Sequence, residues 1–476
     1  MSCQRTMLPR PALMILAGVL WANQAAANGF DYADGADFVY ADFLAWYEAN
    51  KDARPQFVDG DVITAEQRTL SDPFVPPGLQ MADFYGEPIT IKDAGDLSPP
   101  QHFLDATARF AGQASIDDAG ALLDYTAGTP FDRAAFEPGR ESGFKAMWNY
   151  NFRYQHYGLS LHKNDWVWTD RGGSHDGHEI MNDPQSAKYY QGGGKFSRVL
   201  HLRYQKIYCM NLTMGDHPST GYAFDDRWCD GVEWREFSNF WHPFDIAGTG
   251  FIVMRYRDPY KSDDAWAYIP SLRRVRRISA EVKSDSLLGT EDTLEDFYGF
   301  AGRVLEWEWE YVGRKQILAI ARSRYAYPHF GGPNGITAID DWALREVDIV
   351  KGTPKWDGHP YSIKILMFDA QNSIPWYSEA YDRAGKLWKV WRIPSVWTED
   401  PWFENGTKSQ TDNPFSGKPA PTPDGARVCT FQGIDVFNLQ NGRSTLIPSR
   451  EGIGYPAVSV DQAKRVLDIN RLTQGR

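Results

Sequence analysis

His175 and His178, with Asp176 and Glu179 beside them in Gly172-Gly-Ser-His-Asp-Gly-His-Glu179, are the side chains best suited to hold a divalent metal. A metal there would activate water for hydrolysis. Their spacing is neither the helical His-Glu-x-x-His of metalloproteases nor that of an inward-pointing pair on a strand. The flanking glycines describe a solvated loop instead. Asp292 and Asp296 form a second candidate pair, of the kind that performs glycoside chemistry. In their Thr290-Glu-Asp-Thr293 context they read more simply as acids at a helix start. No Gly-x-Ser-x-Gly elbow is present, which removes the usual esterase signal. Gly192-Gly-Gly194 lacks the lysine-serine pair of a phosphate loop and reads as a turn.

Binding chemistry is better represented than bond-breaking chemistry. Arg273, Arg274, Arg276 and Arg277 follow an aromatic run, Trp266-Ala-Tyr-Ile269. Paired guanidinium groups grip lipid headgroups or anionic partners through planar two-point contacts. The alternative is a surface ion-pair network with Glu281, Asp285, Glu291, Asp292, Glu295 and Asp296, each pair contributing under about 1 kcal/mol. The chain also holds 18 tryptophans, more than a polar surface would use. Trp266, Tyr268, Trp307, Trp309, Trp376, Trp388 and Trp391 fall on strand-like runs at inward-compatible spacing. They would line an apolar cavity suited to a lipid or sterol-like guest, or else fill an ordinary core.

The elements that must carry these residues are mostly strands. Val304-Leu-Glu-Trp-Glu-Trp-Glu-Tyr-Val312 alternates strictly, with Leu305, Trp307, Trp309 and Tyr311 on one side and glutamates on the other. That pattern puts one face on a core and one in water, as antiparallel sheets do. Gly313-Arg-Lys315 reads as a turn into Gln316–Ala321. Residues 361–393 read as a three-strand meander, with short loops at Asp369–Ser373 and Asp382–Gly385. Runs at 198–208 and 250–256 are also strand-like, and no alternating β-α-β order is present. Helical spacing marks 37–48, 116–125 and 144–154. Prolines break the chain between 55 and 100, and the proline-rich piece Asn413–Asp424 reads as a surface loop.

Residues 1–27 have the form of a secretory leader. Arg5 and Arg10 precede an apolar run, Ala12–Ala22, and Ala25-Ala-Ala27 supplies small residues for cleavage. The run is shorter than the roughly 20 residues that span a bilayer. A periplasmic, soluble mature chain starting at Asn28 is expected, with association to the outer membrane as a further option. The net charge is −12, and losing the leader removes two arginines and no acid. A chain this acidic is a poor general binder of nucleic acid. Cys209, Cys229 and Cys429 remain after cleavage. An oxidising compartment permits a Cys209–Cys229 bridge, and three buried thiols are the alternative.

Four patches between Thr129 and Trp391 resemble, in order, the bacterial outer-membrane lipoprotein-sorting-like family, uncharacterised periplasmic proteins related to the lipoprotein carriers. They are Gly128-Thr-Pro-Phe131 with Glu141–Tyr154; Trp266–Ile278; Ser286–Phe297, where Glu291 replaces the usual aspartate; and Tyr361 to Lys389. The resemblance implies an α+β fold: a large, strongly curved antiparallel sheet, an unclosed barrel, with helices covering the concave side. With the leader at 1–27 and the mixed helix and loop region at 28–140, it gives a carrier-like sheet domain at 141–476. It also implies a non-enzymatic carrier or chaperone for a lipid or other hydrophobic cargo, without a cofactor. Its partners would be an export pump of the resistance-nodulation type and an outer-membrane protein. A structural adaptor joining pump and pore, and a metal-dependent hydrolase using His175 and His178, are the alternatives.

Overall fold

Trp307, Trp309 and Tyr311 are buried while Glu308 and Glu310 are exposed, as the alternation requires. A computed structural model describes residues 37–182, 186–213, 227–278, 283–325, 327–400, 427–451, 460–469 and 472. The expected leader at 1–27 and the Asn413–Asp424 piece lie outside the described residues. The long strands, in chain order, are β1 Gly158–Asp170, β2 Lys195–Tyr208, β3 Val232–His242, β4 Gly250–Tyr256, β5 Asp264–Ile269 and β6 Arg274–Ile278. After an irregular segment come β7 Trp307–Ala319, β8 Asp341–Pro354, β9 Tyr361–Asp369, β10 Pro375–Asp382, β11 Leu387–Arg392, β12 Gly433–Asn438 and β13 Arg443–Glu451.

These strands form two antiparallel meanders, β1 to β6 and β7 to β13, in which each strand pairs with the next. The last strand of the second, β13, pairs antiparallel with the first strand of the first, β1, and fuses them into one sheet. Val62–Ile63 and Ile89–Ile91 extend it beside β8, giving 15 strands among the described residues. Strands β6 and β7 are not paired to each other, so the sheet is open.

Its curvature follows from what one short segment touches. Glu295 accepts a hydrogen bond from Trp307 Nε1 on β7 at 3.0 Å. Phe297, two residues on, packs against Tyr204 of β2 with ring centroids 6.3 Å apart. Eight strand spacings separate β7 from β2, which on a flat sheet is about 38 Å at ~4.8 Å each. Side chains stand roughly perpendicular to a sheet, so neighbours in sequence could not bridge that distance. The sheet must curl around the segment 283–306.

The two faces carry separate cores. On the concave face, Phe297, Tyr298, Phe300 and the helix α3 (Arg140–Asn151) pack against Trp166, Tyr204, Trp307, Leu366 and Trp391. On the convex face, α1 (Tyr40–Asn50) and residues 57–97 pack against Val167, Ile349, Ile365 and Trp376. Neighbours such as Trp166 and Val167, or Ile365 and Leu366, go to opposite cores, which is the period-two rule of strands. The concave side is thus filled by one helix and an irregular plug, and α1 lies on the opposite face. A further helix, α2 (Gln101–Arg109), lies between them in sequence, and α4 (Val460–Val466) sits near the other end of the chain.

Three local expectations are corrected. Residues 116–125 form a small hairpin, Ser115–Ile116 with Leu122–Leu123, and not a helix. Asp117 Oδ1 accepts from the amides of Ala119 and Ala121, which fixes a turn in competition with helix. Gly313 is not in a turn: strand β7 runs through it with a bulge between Tyr311 and Gly313. Asp292 and Asp296 start no α-helix: only the three-residue 3-10 turn Phe297–Gly299 follows Asp296, and both acids are fully buried. Cys209 and Cys229 are bridged, which resolves the open choice between bridge and thiols.

Candidate functional site

A cavity of about 560 Å³ lies where α3 ends against the start of β3 and the end of β4. Its apolar wall is Leu122, Tyr125, Trp148, Phe152, Val304 and Leu305. The hairpin with its Asp117 turn carries Leu122, and the last turn of α3 presents Trp148 and Phe152. Trp148 is anchored there by its Nε1, which donates to Gly120 O at 2.8 Å. The volume falls in the ~300–1,000 Å³ range of small-molecule sites.

Charge is concentrated on the far wall. Asp263 receives Arg255 (2.9 Å), Lys283 (3.0 Å) and Arg303 (2.8 Å). Burial alone raises its pKa, but Arg255 and Lys283 foremost hold the carboxyl well below the usual range. Arg255 and Arg303 reach the cavity from this cluster. Glu233 is buried there too, and its Oε1 accepts from Asn151 Nδ2 at 3.0 Å. Desolvation pushes the Glu233 pKa up, against the pull of Arg255. At the rim, Arg257 and Lys261 are exposed.

Smaller cavities continue inward from the large one. A space of about 30 Å³ shares Asn151, Phe152 and Asn211 with it. The next, about 60 Å³, shares Arg153, Tyr154 and Tyr208 with the second. The last, about 20 Å³, is reached past Tyr298 and Phe431 and ends in the concave core at Asp292. The cavities form a string from the open end toward the plug.

The plug is fastened by a buried polar network. Lys364 donates to Asp296 Oδ1, and Tyr361 Oη donates to Asp296 Oδ2 at 2.7 Å. Burial raises the Asp296 pKa, but Lys364 overrides it and keeps the group charged. Asp292 is pushed up to about 7, by burial first and then by the charge of Asp296. Its Oδ1 accepts from Trp391 Nε1 at 3.2 Å, while Oδ2 has no hydrogen-bond partner among the described residues. Glu295 contacts His359 Nε2 at 2.8 Å, and Glu291 accepts from Asn438 at 2.7 Å. The signal for this network was Lys364 and Lys389, two lysines inside otherwise apolar strands.

The seven aromatic candidates are divided by the fold. Trp307, Trp309 and Trp391 are buried in the concave core, and Trp388 packs against it. Trp309 Nε1 donates to Val304 O at 2.8 Å. Trp376 belongs to the convex core, with its Nε1 on Asp369 at 2.9 Å. On β5, Ala265 and Ala267 are buried, and Trp266 and Tyr268 alternate with them, half-buried. None of the seven lines the cavity string.

Arg274, Arg276 and Arg277 lie on β6, with Arg273 at its turn. Arg277 pairs with Asp264, and the other three are exposed and make no ion pair among the described residues. The expected network with the downstream acids does not form, because Glu291, Glu295 and Asp296 turn inward to other partners; Glu281 lies outside the described residues. His175 is buried, with Nδ1 3.2 Å from Gly193 O and Nε2 3.1 Å from Tyr190 O. Both nitrogens face carbonyl acceptors, which leaves no lone pair free for a metal in this arrangement. His178 is half-buried, its Nδ1 accepting from the Ile180 amide at 3.3 Å. Among the described residues no group of three metal-ligating side chains is present, and no helix is long and apolar enough to cross a membrane.

Residues 91–403 match the family described as "Protein of unknown function (DUF1329)". No curated protein matches the chain. Among solved structures, a putative outer membrane lipoprotein-sorting protein domain from Vibrio parahaemolyticus is 16% identical, with a TM-score of 0.42. It is covered over 99% of its length by 70% of this chain. A DUF1329 family protein from Desulfovibrio piger is 16% identical, TM-score 0.41, over 70% of this chain and 98% of that one. A LolA superfamily protein from Nitrosomonas europaea is 13% identical, TM-score 0.30, over 66% and 92%.

Proposed function

We propose, from the premise that this chain belongs to the DUF1329 family, that it is a carrier that shelters a lipid or other hydrophobic molecule without breaking a bond in it. The observation that carries the reading is the cavity of about 560 Å³ with an apolar wall, beside a string of smaller cavities that share wall residues with it and with one another; a second cavity, of about 410 Å³, lies by Phe131, Phe136 and Phe368. Covering apolar surface there stabilises a guest by about 2.5 kcal/mol per 100 Å². The leader at 1–27 supports a periplasmic place of work. The exposed Arg273, at the turn before edge strand β6, and Arg274 and Arg276 on it are suited to an anionic headgroup or partner surface, within an envelope export system.

Filling the cavity tests the reading. Leu122→Trp, on the surface hairpin, should weaken saturable binding of a neutral fluorescent probe such as N-phenylnaphthylamine at least tenfold while leaving the thermal transition in place. Unchanged probe affinity in the folded variant would move the site elsewhere. Absence of any saturable binding in the native protein, together with no extractable lipid, would end the proposal.

A further inference from the structure

We propose that Lys206 and Arg153 form an anion-binding subsite inside the cavity string, and that the guest is a single-chain amphiphile with a carboxylate head. This rests on reading the string as a guest's path. Strand β2 carries Lys206 into the cavity of about 60 Å³ between Tyr208 and Tyr298. The residue is 6% exposed, and its ammonium makes no hydrogen bond among the described residues. The nearest carboxylate oxygen, Glu236 Oε2, is 3.9 Å away, and it already accepts from Tyr204 Oη at 2.7 Å. Lys206 lies over the Trp234 ring at 4.0 Å, which offers attraction but no acceptor.

A buried ammonium has three N–H donors, and leaving them unmade is costly. Leu159, Ile374, Ile393 and Phe431 make the apolar part of the wall; Gln155 and Ser395 also line it, and the Gln155 oxygen accepts from Arg153 at 3.3 Å. Arg153 adds a second cation to the same cavity. Its guanidinium lies over Tyr150 at 4.2 Å and donates to Tyr150 O at 2.9 Å, with donors to spare. Two cations beside a partly apolar wall suit an anion that arrives with an apolar tail. A cavity of about 60 Å³ suits a compact anionic head such as a carboxylate. The tail then has the apolar wall of the larger cavity, past Phe152, to lie against. Burial pushes the Lys206 pKa down to about 8, so the subsite is charged at neutral pH and has the most to gain from an incoming anion.

Dodecanoate, dodecanol and acetate, each below its aggregation concentration, separate the contributions. Calorimetric titration of the full native protein should show dodecanoate binding at least tenfold tighter than dodecanol, with acetate at least a hundredfold weaker than dodecanoate. Lys206→Met, which keeps length and removes charge, should abolish the preference while dodecanol affinity stays within twofold. Equal affinity of dodecanoate and dodecanol for the native protein would overturn the subsite and leave the carrier standing. Retention of the preference in Lys206→Met would do the same. Acetate binding as tightly as dodecanoate would overturn the amphiphile. Failure of both C12 ligands to bind would overturn subsite and carrier together.

Should Lys206→Met not fold, the native protein supplies a second readout. Dodecanoate affinity should fall at least fivefold from pH 7 to pH 9.5, as Lys206 loses its proton, and dodecanol affinity should not. The charged groups facing Lys206 are Glu233 and Glu236 on β3, Arg255 on β4 and Arg153 after α3, with the phenols of Tyr204, Tyr208 and Tyr298 nearby. Burial pushes the Glu233 carboxyl up, against the pull of Arg255, and keeps the phenols of Tyr204, Tyr208 and Tyr298 protonated across this range. A flat pH profile for dodecanoate would overturn the subsite.

Discussion

Asp292 shows what a single buried acid does to a fold of this kind. Its pKa is raised in the folded chain from 3.8 to about 7, by burial and by Asp296. An acid whose folded pKa lies above its unfolded one adds stability below about pH 4, and that contribution is lost as pH rises through 7. Asp292→Asn has no such dependence. The stability difference between Asp292→Asn and the native protein should therefore move in the variant's favour by about 2–4 kcal/mol between pH 4 and pH 8. Denaturant titrations at the two pH values measure it. A pH-independent difference would mean that Asp292 is solvated or otherwise paired.

Bulge and disulfide place the strands as much as hydrophobic pattern does. At Gly313 the backbone has φ +150, and an added Cβ would sit 1.9 Å from the Tyr47 hydroxyl of α1. The bulge in β7 is thus the seat of a helix on the convex face. Gly313→Ala should destabilise by about 1–3 kcal/mol, and Tyr47→Phe in the same chain should recover part of the loss. Additive effects in a double-mutant cycle would show that the two residues do not meet. The bridge Cys209–Cys229 closes the loop between the end of β2 and the start of β3, and restraining it contributes up to about 3 kcal/mol.

Two meanders closed by one pairing, β13 with β1, should behave as one cooperative unit. The convex core joins α1 and residues 57–97 to strands of the second meander and to Val167 of the first. The plug touches strands of both on the concave side. Near-ultraviolet and far-ultraviolet circular dichroism should therefore report coincident transitions in denaturant. Two separated transitions would show that the meanders, or the N-terminal region, unfold independently.

Strands at 198–208, 250–256, 307–312, 316–319 and 361–393 were legible because alternation and turn chemistry act between near neighbours in sequence. So was α3, from its helical spacing, and the antiparallel character of the sheet. The turn assigned to Gly313 failed because only α1, more than 260 residues away, makes a glycine necessary in mid-strand. The helix assigned to 116–125 failed because one aspartate side chain outcompetes weak helical spacing. Tryptophans could be counted but not assigned to a face, since register depends on which strand lies beside which. Lys206 and Arg153 carried no local signature. Whether a lysine on a strand reaches water or a dry cavity is settled by strands and loops distant in sequence. Local pattern thus defined the building pieces and their chemistry. Long-range pairing and the curl of the sheet decided which charges were buried, which aromatic groups became core, and where space for a guest was left.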